Sequence, residues 1–316
     1  MSILNSPEIS QAYFFPQDVR CNDAVEVDVG DAILRCHHHI GNDDGRTLVH
    51  FHGNGEAVGH YSQDRFIPTL SARMNQINVL MVEYRGYGGS SGEVEMVSML
   101  PDGYRVLGEL NIDPAKTIAY GRSIGSLYAL ELANRCPTLA GLVIDSGVAD
   151  IKERFLARKD IAEQIQDWDE VNQQVELHFN HQAKIESYDG KVLLLHAARD
   201  GLINLTHADR LYQWAMNAEF CKYTLFMQGD HNSIFPVNEE SIFLHLHYLE
   251  RDLFGDSSSN ENLKLRDVPM TGHAIDRGAM LDEENGLTSK QEADGSEGSK
   301  AKPHLFAKLR NFFSRK

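Results

Sequence analysis

Runs of consecutive apolar residues alternate with segments of helical spacing between residues 47 and 253. Such runs are typical of parallel strands that are buried on both faces of a sheet. They begin at Thr47, Asn78, Lys116, Leu139, Lys191 and Glu219. Apolar residues spaced three and four apart predict helices over Ala57–Met74, Met96–Leu110, Ile124–Asn134, His207–Met216 and Ser241–Leu253. This alternation predicts an α/β fold, in which helices cover both faces of a mostly parallel central sheet.

Two regions depart from this rhythm within the predicted domain, which covers residues 1–254. Three short segments with partial alternation, Ala12–Val19, Ala24–Val29 and Ala32–His39, predict an antiparallel N-terminal start to the sheet. Residues 147–189 are polar and acidic, and their few apolar positions have helical spacing. We therefore expect a small helical cap to be inserted there, over one end of the sheet.

The composition of the chain changes twice after this domain. Residues 255–300 are polar, acidic and poor in aromatic residues, which predicts a disordered linker. Residues 301–316 are basic and predict a C-terminal amphipathic helix, whose apolar face is formed by Leu305, Phe306, Leu309, Phe312 and Phe313. A helix of this kind can lie in a membrane interface, so residues 302–316 are a candidate for peripheral membrane contact. Packing against the acidic surface of the chain, or binding to a partner, are the alternatives.

The chain is acidic, with a formal net charge of −16 over 316 residues. Negative charge repels phosphate backbones and anionic lipid, so we expect no nucleic-acid partner and no direct docking of the core on a membrane. The four cysteines are scattered without a C-x-x-C pair, which predicts reduced thiols. The chain shows no secretory signal pattern and no apolar run of membrane-spanning length, so we expect a cytoplasmic protein.

The run His37-His38-His39 is the sequence feature that most suggests a metal site. Consecutive side chains of a strand point to opposite faces, so these three imidazoles cannot converge on one ion. The glycine-rich turn "RGYGGSSG" lacks the G-K-[ST] of a phosphate-binding P-loop. We therefore predict neither a metal nor an organic cofactor.

A candidate nucleophile, Ser123, lies at the centre of the stretch "GRSIG". A G-x-S-x-G pattern arises by chance in roughly one such sequence in ten, so its context decides. Ser123 follows a predicted strand and precedes a predicted helix, and the flanking glycines allow the sharp turn that exposes the hydroxyl. A serine needs a base and an orienting carboxylate. His231 and Asp200 follow later predicted strands and so reach the same edge of the sheet, while Asp145 is a second candidate acid.

A serine that attacks a carbonyl forms an oxyanion, which needs two backbone N–H donors. Ile124, directly after the candidate nucleophile, offers one, and Asn54 of the loop "HGNG" offers the other. Arg122 and Gly55 are candidates for contact with the substrate. For Arg122, which borders the nucleophile, a structural ion pair is the alternative.

Five motifs together resemble the α/β-hydrolase superfamily of the serine-esterase type: "HFHGNGE", "VEYRGYGGSSG", "GRSIGS", "LLHAARDGLIN" and "GDHNSIF". The resemblance covers roughly residues 25–252 and is strongest to the branch with HGN and YRGYGxSxG motifs, which includes depalmitoylases and lysophospholipase-like hydrolases. The order Ser123, Asp200, His231 is that of the fold. At Glu83, relatives commonly have aspartate, and we expect little consequence from this departure.

The resemblance implies a hydrolase that cleaves a carboxylic ester or thioester through an acyl-enzyme intermediate, without a cofactor. An amidase or peptidase on the same triad is an alternative. A non-catalytic adaptor on the same fold is a third hypothesis, although an intact set of Ser123, Asp200 and His231 argues against it.

Overall fold

The computed structural model describes residues 2–63, 65–255 and 263–286. Within these ranges, nine strands form one sheet in the order β1-β2-β4-β3-β5-β6-β7-β8-β9. The strands are β1 Val25–Asp28, β2 Ile33–His39, β3 Thr47–Phe51, β4 Asn78–Val82, β5 Thr117–Arg122, β6 Gly141–Asp145, β7 Lys191–Ala197, β8 Phe220–Phe226 and β9 Ala274–Asp276. The helices are α1 Pro7–Tyr13, α2 Val58–Ser62, α3 Phe66–Arg73, α4 Asp102–Glu109, α5 Gly125–Arg135, α6 Ile151–Leu156, α7 Lys159–Ala162, α8 Trp168–Phe179, α9 His181–Glu186, α10 Leu205–Trp214, α11 Ile234–Phe254 and α12 Arg277–Glu284.

The inner strands β3 to β8 are parallel, and the sheet starts with two antiparallel strands, β1 and β2. The predicted fold class is therefore confirmed. The apolar runs form strands because both of their faces are covered. One face packs against α3 and α11, as the shared buried cluster of Val79, Leu193, Leu70 and Leu246 shows. Helix α5 packs against β5 and β6 and contacts α4 and α9.

Prolines and helix caps shift several element boundaries. The segment predicted as a first strand, Ala12–Val19, instead begins in the last turn of α1 and continues without strand pairing. Helix α1 begins at Pro7, and the Ser6 side chain caps its N-terminus. The helix predicted over Ala57–Met74 is two helices, α2 and α3, because Pro68 is tolerated only in a first helical turn. Likewise, α4 begins after Pro101 rather than at Met96.

The segment between β6 and β7 contains the four helices α6 to α9. These helices fall within residues 147–189, for which the sequence predicts an insertion. Their apolar positions are buried at Phe155, Ile161, Val171, Phe179 and Ile185. The last helix, α9, packs against α5 and α10, whereas α7 contacts α1 near the N-terminus. The segment between β6 and β7 therefore contacts the rest of the chain through α7 and α9.

Within the predicted linker, residues 255–300, the structure describes residues 263–286, which include strand β9 and helix α12. Strand β9 pairs antiparallel with β8 and forms the far edge of the sheet. Leu265 and Val268 are buried ahead of it, which explains why this stretch folds despite its polar composition. Residues 256–262 and 287–300, and the predicted C-terminal helix at 301–316, lie outside the described residues.

Residues up to Ala279 form one compact unit that contains the whole sheet. A second unit begins at Met280, and it is described only as far as Gly286. None of the described helices is both long and apolar enough to cross a membrane.

Candidate active site

Ser123 lies on a sharp turn between β5 and α5. Its backbone has a φ of +53°, in the left-handed region that non-glycine residues rarely adopt. Its N–H donates to the Asp145 carbonyl oxygen at 2.8 Å, which extends the pairing of β5 with β6 by one bond. The turn is crowded, since a Cβ on Gly125 would overlap the carbonyl oxygen of Phe51. Glycine at this position therefore allows α5 to begin directly behind the serine.

The imidazole of His231 bridges Ser123 and Asp200. Its Nε2 lies 2.9 Å from Ser123 Oγ, and its Nδ1 lies 2.7 Å from Asp200 Oδ2. His231 lies in the loop after β8, and Asp200 lies in the loop after β7. The structure thus brings all three predicted residues together at the carboxyl edge of the sheet, as expected for parallel strands. A carboxylate at Nδ1 fixes the tautomer that leaves Nε2 free to accept the serine proton.

Asp200 is held by a second set of hydrogen bonds. Its Oδ1 accepts from the N–H groups of Leu202 and Ile203 at 2.9 and 2.8 Å. Burial alone would raise the pKa of Asp200, but the hydrogen bond from His231 and the charges of His231 and His196 lower it below the usual value. The lowered pKa favours the anion, and both carboxylate oxygens of Asp200 are held by hydrogen bonds.

Asp145, the second candidate acid, has other partners. It is fully buried, and its Oδ2 accepts from the Tyr120 hydroxyl at 2.9 Å. Its Oδ1 accepts from the Ser146 hydroxyl, also at 2.9 Å. The carboxylate that contacts His231 is therefore that of Asp200. Asp145 instead accepts hydrogen bonds from Tyr120 and Ser146.

The loop of the predicted oxyanion donor Asn54 is fixed by its own side chains. Asn54 Oδ1 accepts from the Phe15 N–H and the Tyr87 hydroxyl at 3.0 and 3.1 Å, and its amide nitrogen donates to the Tyr13 carbonyl. The backbone N–H groups of Asn54 and Ile124 make no hydrogen bond to the part of the chain that the structure describes. Both donors therefore remain available for an anionic oxygen.

A buried ion pair supports this loop from below. His52 Nδ1 lies 2.9 Å from the Gly53 carbonyl oxygen, and its Nε2 lies 2.8 Å from Glu83 Oε1. Glu83 also accepts from the N–H groups of Val58 and Tyr84. Because both ring nitrogens face acceptors, both carry protons and His52 is an imidazolium. Burial would lower the pKa of His52, but Glu83 raises it above the ordinary value.

Glutamate at position 83 therefore has a structural role, although the sequence predicts little consequence from this departure. Its longer side chain reaches His52 and the start of α2 at the same time. In the sequence, Glu83 is recognisable as an acidic residue at the carboxyl end of an apolar strand, which is a position that could have suggested this role. Only the fold shows that a buried histidine lies opposite.

Arg122, a candidate substrate contact, is engaged by the protein itself. Its guanidinium pairs with Glu56 Oε1 and donates to the His231 carbonyl oxygen at 3.0 Å. Glu56 Oε2 in turn accepts from the Gly53 N–H at 2.8 Å. Burial opposes the charge of Arg122, but Glu56 and Asp145 raise its pKa. The structure thus shows the ion pair that the sequence left as an alternative, and Glu56 is a partner that the sequence analysis missed.

Gly55, the other candidate substrate contact, lies in the turn of this loop with a φ of +77°. The positive φ is the reason for glycine here, because residues with a side chain rarely adopt it. Crowding is not the reason, because a Cβ at this position would have only Phe15 near it. A cavity of about 400 Å³ lies beside the triad, and it is lined by charged and polar side chains such as Glu56, Arg122 and Asn232 and by the aromatic rings of Phe66 and Phe235. Ser123 itself is not among the lining residues.

Comparisons with known proteins agree with this geometry at the level of the fold. No model of a known protein family matches the chain. The uncharacterized protein YfhR of Escherichia coli is 24% identical over 214 residues, which cover 62% of this chain and 66% of that protein. Human alpha/beta hydrolase domain-containing protein 17B is 26% identical over 171 residues, 53% of this chain and 54% of the relative. The matched regions thus span less than two thirds of these curated relatives.

Two solved structures superpose on most of the chain. The esterase Pf2001 of Pyrococcus furiosus has a TM-score of 0.61 at 19% identity, covering 77% of this chain and 98% of that one. Est1E of Butyrivibrio proteoclasticus, solved with ferulic acid, has a TM-score of 0.58 at 16% identity, covering 74% and 100%. At these identities the likeness concerns the backbone arrangement. The chain therefore has the α/β-hydrolase fold.

Proposed function

We propose that the protein is a serine hydrolase that cleaves carboxylic esters or thioesters. The observation that carries this proposal is the continuous hydrogen-bonded line from Ser123 Oγ through His231 to Asp200. A hydroxyl, an imidazole and a carboxylate in this order form the constellation that activates a serine for attack on an acyl carbonyl. Two unused N–H groups, on Asn54 and Ile124, supply the oxyanion donors that the reaction needs.

The reaction proceeds through two balanced halves. Ser123 Oγ attacks the acyl carbon while His231 Nε2 takes its proton, and the N–H groups of Asn54 and Ile124 hold the resulting oxyanion. Collapse of this intermediate breaks the bond to the leaving group, which departs as an alcohol or thiol with the proton from His231. A water molecule then attacks the acyl-enzyme with His231 again as base, and the acid product leaves while Ser123 recovers its proton.

Exposed apolar side chains near the triad favour a substrate with an apolar acyl group. Leu202 follows the triad acid by two residues and is 51% exposed, and Phe15, whose N–H bonds to Asn54, is 46% exposed. The motif resemblance to depalmitoylases and lysophospholipase-like hydrolases points to acyl chains as well. The solved relatives include proteins named as esterases, which supports an oxygen ester as the first bond to test.

Labelling with a fluorophosphonate probe tests the proposal directly. Wild type is expected to take up one probe per chain and Ser123→Ala none, since the probe reacts only with an activated serine. Ser91→Ala is the control, because Ser91 is exposed in a glycine-rich turn away from the triad residues in sequence. Equal labelling of wild type and Ser123→Ala would refute the proposal, and a wild type without label would favour the non-catalytic adaptor.

The bond type is decided by a substrate panel. p-Nitrophenyl esters and acyl-CoA thioesters of varied chain length are compared with the matching p-nitroanilides. Turnover of the esters or thioesters, lost in Ser123→Ala, is the expected result. Faster turnover of the anilides would favour an amidase or peptidase on the same triad.

A further inference from the structure

A cluster of three side chains of the types that can ligate a metal lies on segments that do not carry the triad. Cys21 and Asp23 belong to the segment just before β1, and His37 lies on β2. Cys21 Sγ is 3.0 Å from Asp23 Oδ1 and 3.4 Å from His37 Nδ1. His37 Nδ1 is 3.3 Å from the same Asp23 oxygen. Three atoms, one from each side chain, therefore form a closed triangle.

A triangle differs from a proton relay. In a relay the histidine uses one ring nitrogen for each neighbour, as His231 does between Ser123 and Asp200. Here a single ring nitrogen, Nδ1, faces both the sulfur and the oxygen. Three potential ligand atoms that all lie within 3.4 Å of one another have the spacing of ligands around a cation.

The sides of the triangle match a tetrahedral zinc site. Zinc bonds to sulfur, imidazole nitrogen and carboxylate oxygen, at their usual lengths and tetrahedral angles, set the donor atoms about 3.3–3.6 Å apart. The three observed separations are 3.0, 3.3 and 3.4 Å. The shortest side involves Asp23, whose side chain is 72% exposed and can move outward. Thiolate, imidazole and carboxylate together also favour zinc over magnesium or calcium, which prefer oxygen ligands.

We propose that Cys21, Asp23 and His37 bind a Zn²⁺ ion, with water as the fourth ligand on the exposed side of Asp23. Cys21 binds as the thiolate and releases its proton to solvent, and His37 binds through the Nδ1 lone pair with its proton on Nε2. The ion joins the segment before β1 to β2 across a sequence separation of 16 residues. It thereby fixes the antiparallel end of the sheet. The three imidazoles of the His37–His39 run do not share an ion, because only His37 takes part.

Metal analysis of the full chain tests the proposal. The protein is stripped with a chelator, dialysed against Zn²⁺ and assayed for bound metal, with one ion per chain as the expected result. Co²⁺ in place of Zn²⁺ is expected to give the near-ultraviolet charge-transfer absorption of a thiolate ligand. Cys21→Ser is expected to abolish that absorption, and Asp23→Asn to weaken Zn²⁺ binding at least about tenfold.

Two control variants separate this site from adventitious binding. His39→Gln removes a neighbouring imidazole of the same strand, and Cys221→Ser removes another thiol. Both are expected to bind Zn²⁺ as wild type does. Asp23 is exposed, so Asp23→Asn keeps the fold even if Cys21→Ser does not. Wild type without a thiolate band, or Asp23→Asn and His37→Gln with wild-type affinity, would overturn the proposal and leave a hydrogen-bonded trio only. Fluorophosphonate labelling of Ser123 is independent of either outcome.

Discussion

At the scale of single residues, the two buried aspartates Asp200 and Asp145 have different roles. Asp200→Asn is expected to lower kcat about 10³- to 10⁴-fold, because asparagine cannot fix the tautomer in which His231 Nε2 accepts a proton. Asp145→Asn keeps an acceptor for the Tyr120 hydroxyl and is expected to change kcat less than about tenfold. Steady-state hydrolysis of a p-nitrophenyl ester measures both, and a greater loss at Asp145 would contradict the assignment.

The close approach of α5 to β3 predicts a large effect at another single residue. Gly125→Ala is expected to lower the free energy of unfolding by about 2–4 kcal/mol, since the new Cβ would overlap the Phe51 carbonyl oxygen. Gly108→Ala is the matched control. Gly108 is exposed in α4, and a Cβ there meets nothing within 4 Å, so the change should stabilise the protein by up to about 1 kcal/mol. Urea unfolding compares the two, and equal effects would argue against the packing account.

At the scale of elements, Arg122 connects the three segments that carry the proposed reaction. It ends β5, pairs with Glu56 of the oxyanion loop and donates to the backbone of His231. Arg122→Gln is expected to lower kcat about 10- to 100-fold, because small displacements of positioned groups have large effects on rate. Arg135→Gln removes another ion-paired arginine, on α5, and serves as the control. The probe-labelling rate should fall in parallel with kcat, and an unchanged rate in Arg122→Gln would refute this role.

The ion pair of His52 and Glu83 makes the stability of the oxyanion loop dependent on pH. The folded state raises the pKa of His52 above its value in the unfolded chain, about 6.5. Its contribution to stability is therefore fully present below about pH 6.5 and is lost as pH rises through the folded-state value. The free energy of unfolding of wild type should exceed that of Glu83→Gln most at low pH, and the difference should shrink at higher pH.

Urea unfolding between pH 6 and 9 checks this expectation. His60→Gln serves as a control, since His60 is an exposed histidine close to the same loop in sequence. A difference between wild type and Glu83→Gln that grows with pH would show that His52 is neutral in the folded protein.

At the scale of the whole molecule, the sheet extends beyond the point where the sequence places the end of the domain. Strand β9 pairs with Thr224, Leu225 and Phe226 of β8, and Lys222 forms an ion pair with Asp276. A chain that ends at Gly255 leaves β8 as an unpaired edge, which favours aggregation. It should unfold at a lower temperature than a chain that ends at Gly286 and should scatter more light. Equal behaviour of the two chains would show that β9 contributes nothing to stability.

Much of this architecture could be predicted because its causes are local. Parallel strands that are buried on both faces need continuous apolar runs, which are visible in the sequence. The carboxyl ends of parallel strands lie at one edge of the sheet, so Ser123, Asp200 and His231 are expected to lie close together there. Strand β9 escaped prediction because its three residues gain their pairing only from β8. The Cys21 cluster escaped it for a similar reason. The turn and the register that bring Cys21 beside His37 are properties of the folded sheet.

The left-handed backbone of Ser123 sets the proposed activity against stability at one position. An L-residue with a side chain is held there at a disadvantage of about 1–2 kcal/mol, whereas glycine would occupy the same turn without strain. Selection for stability alone would therefore favour glycine over serine at this position. The hydroxyl at position 123 is a part of the chain that selection for folding alone would discard.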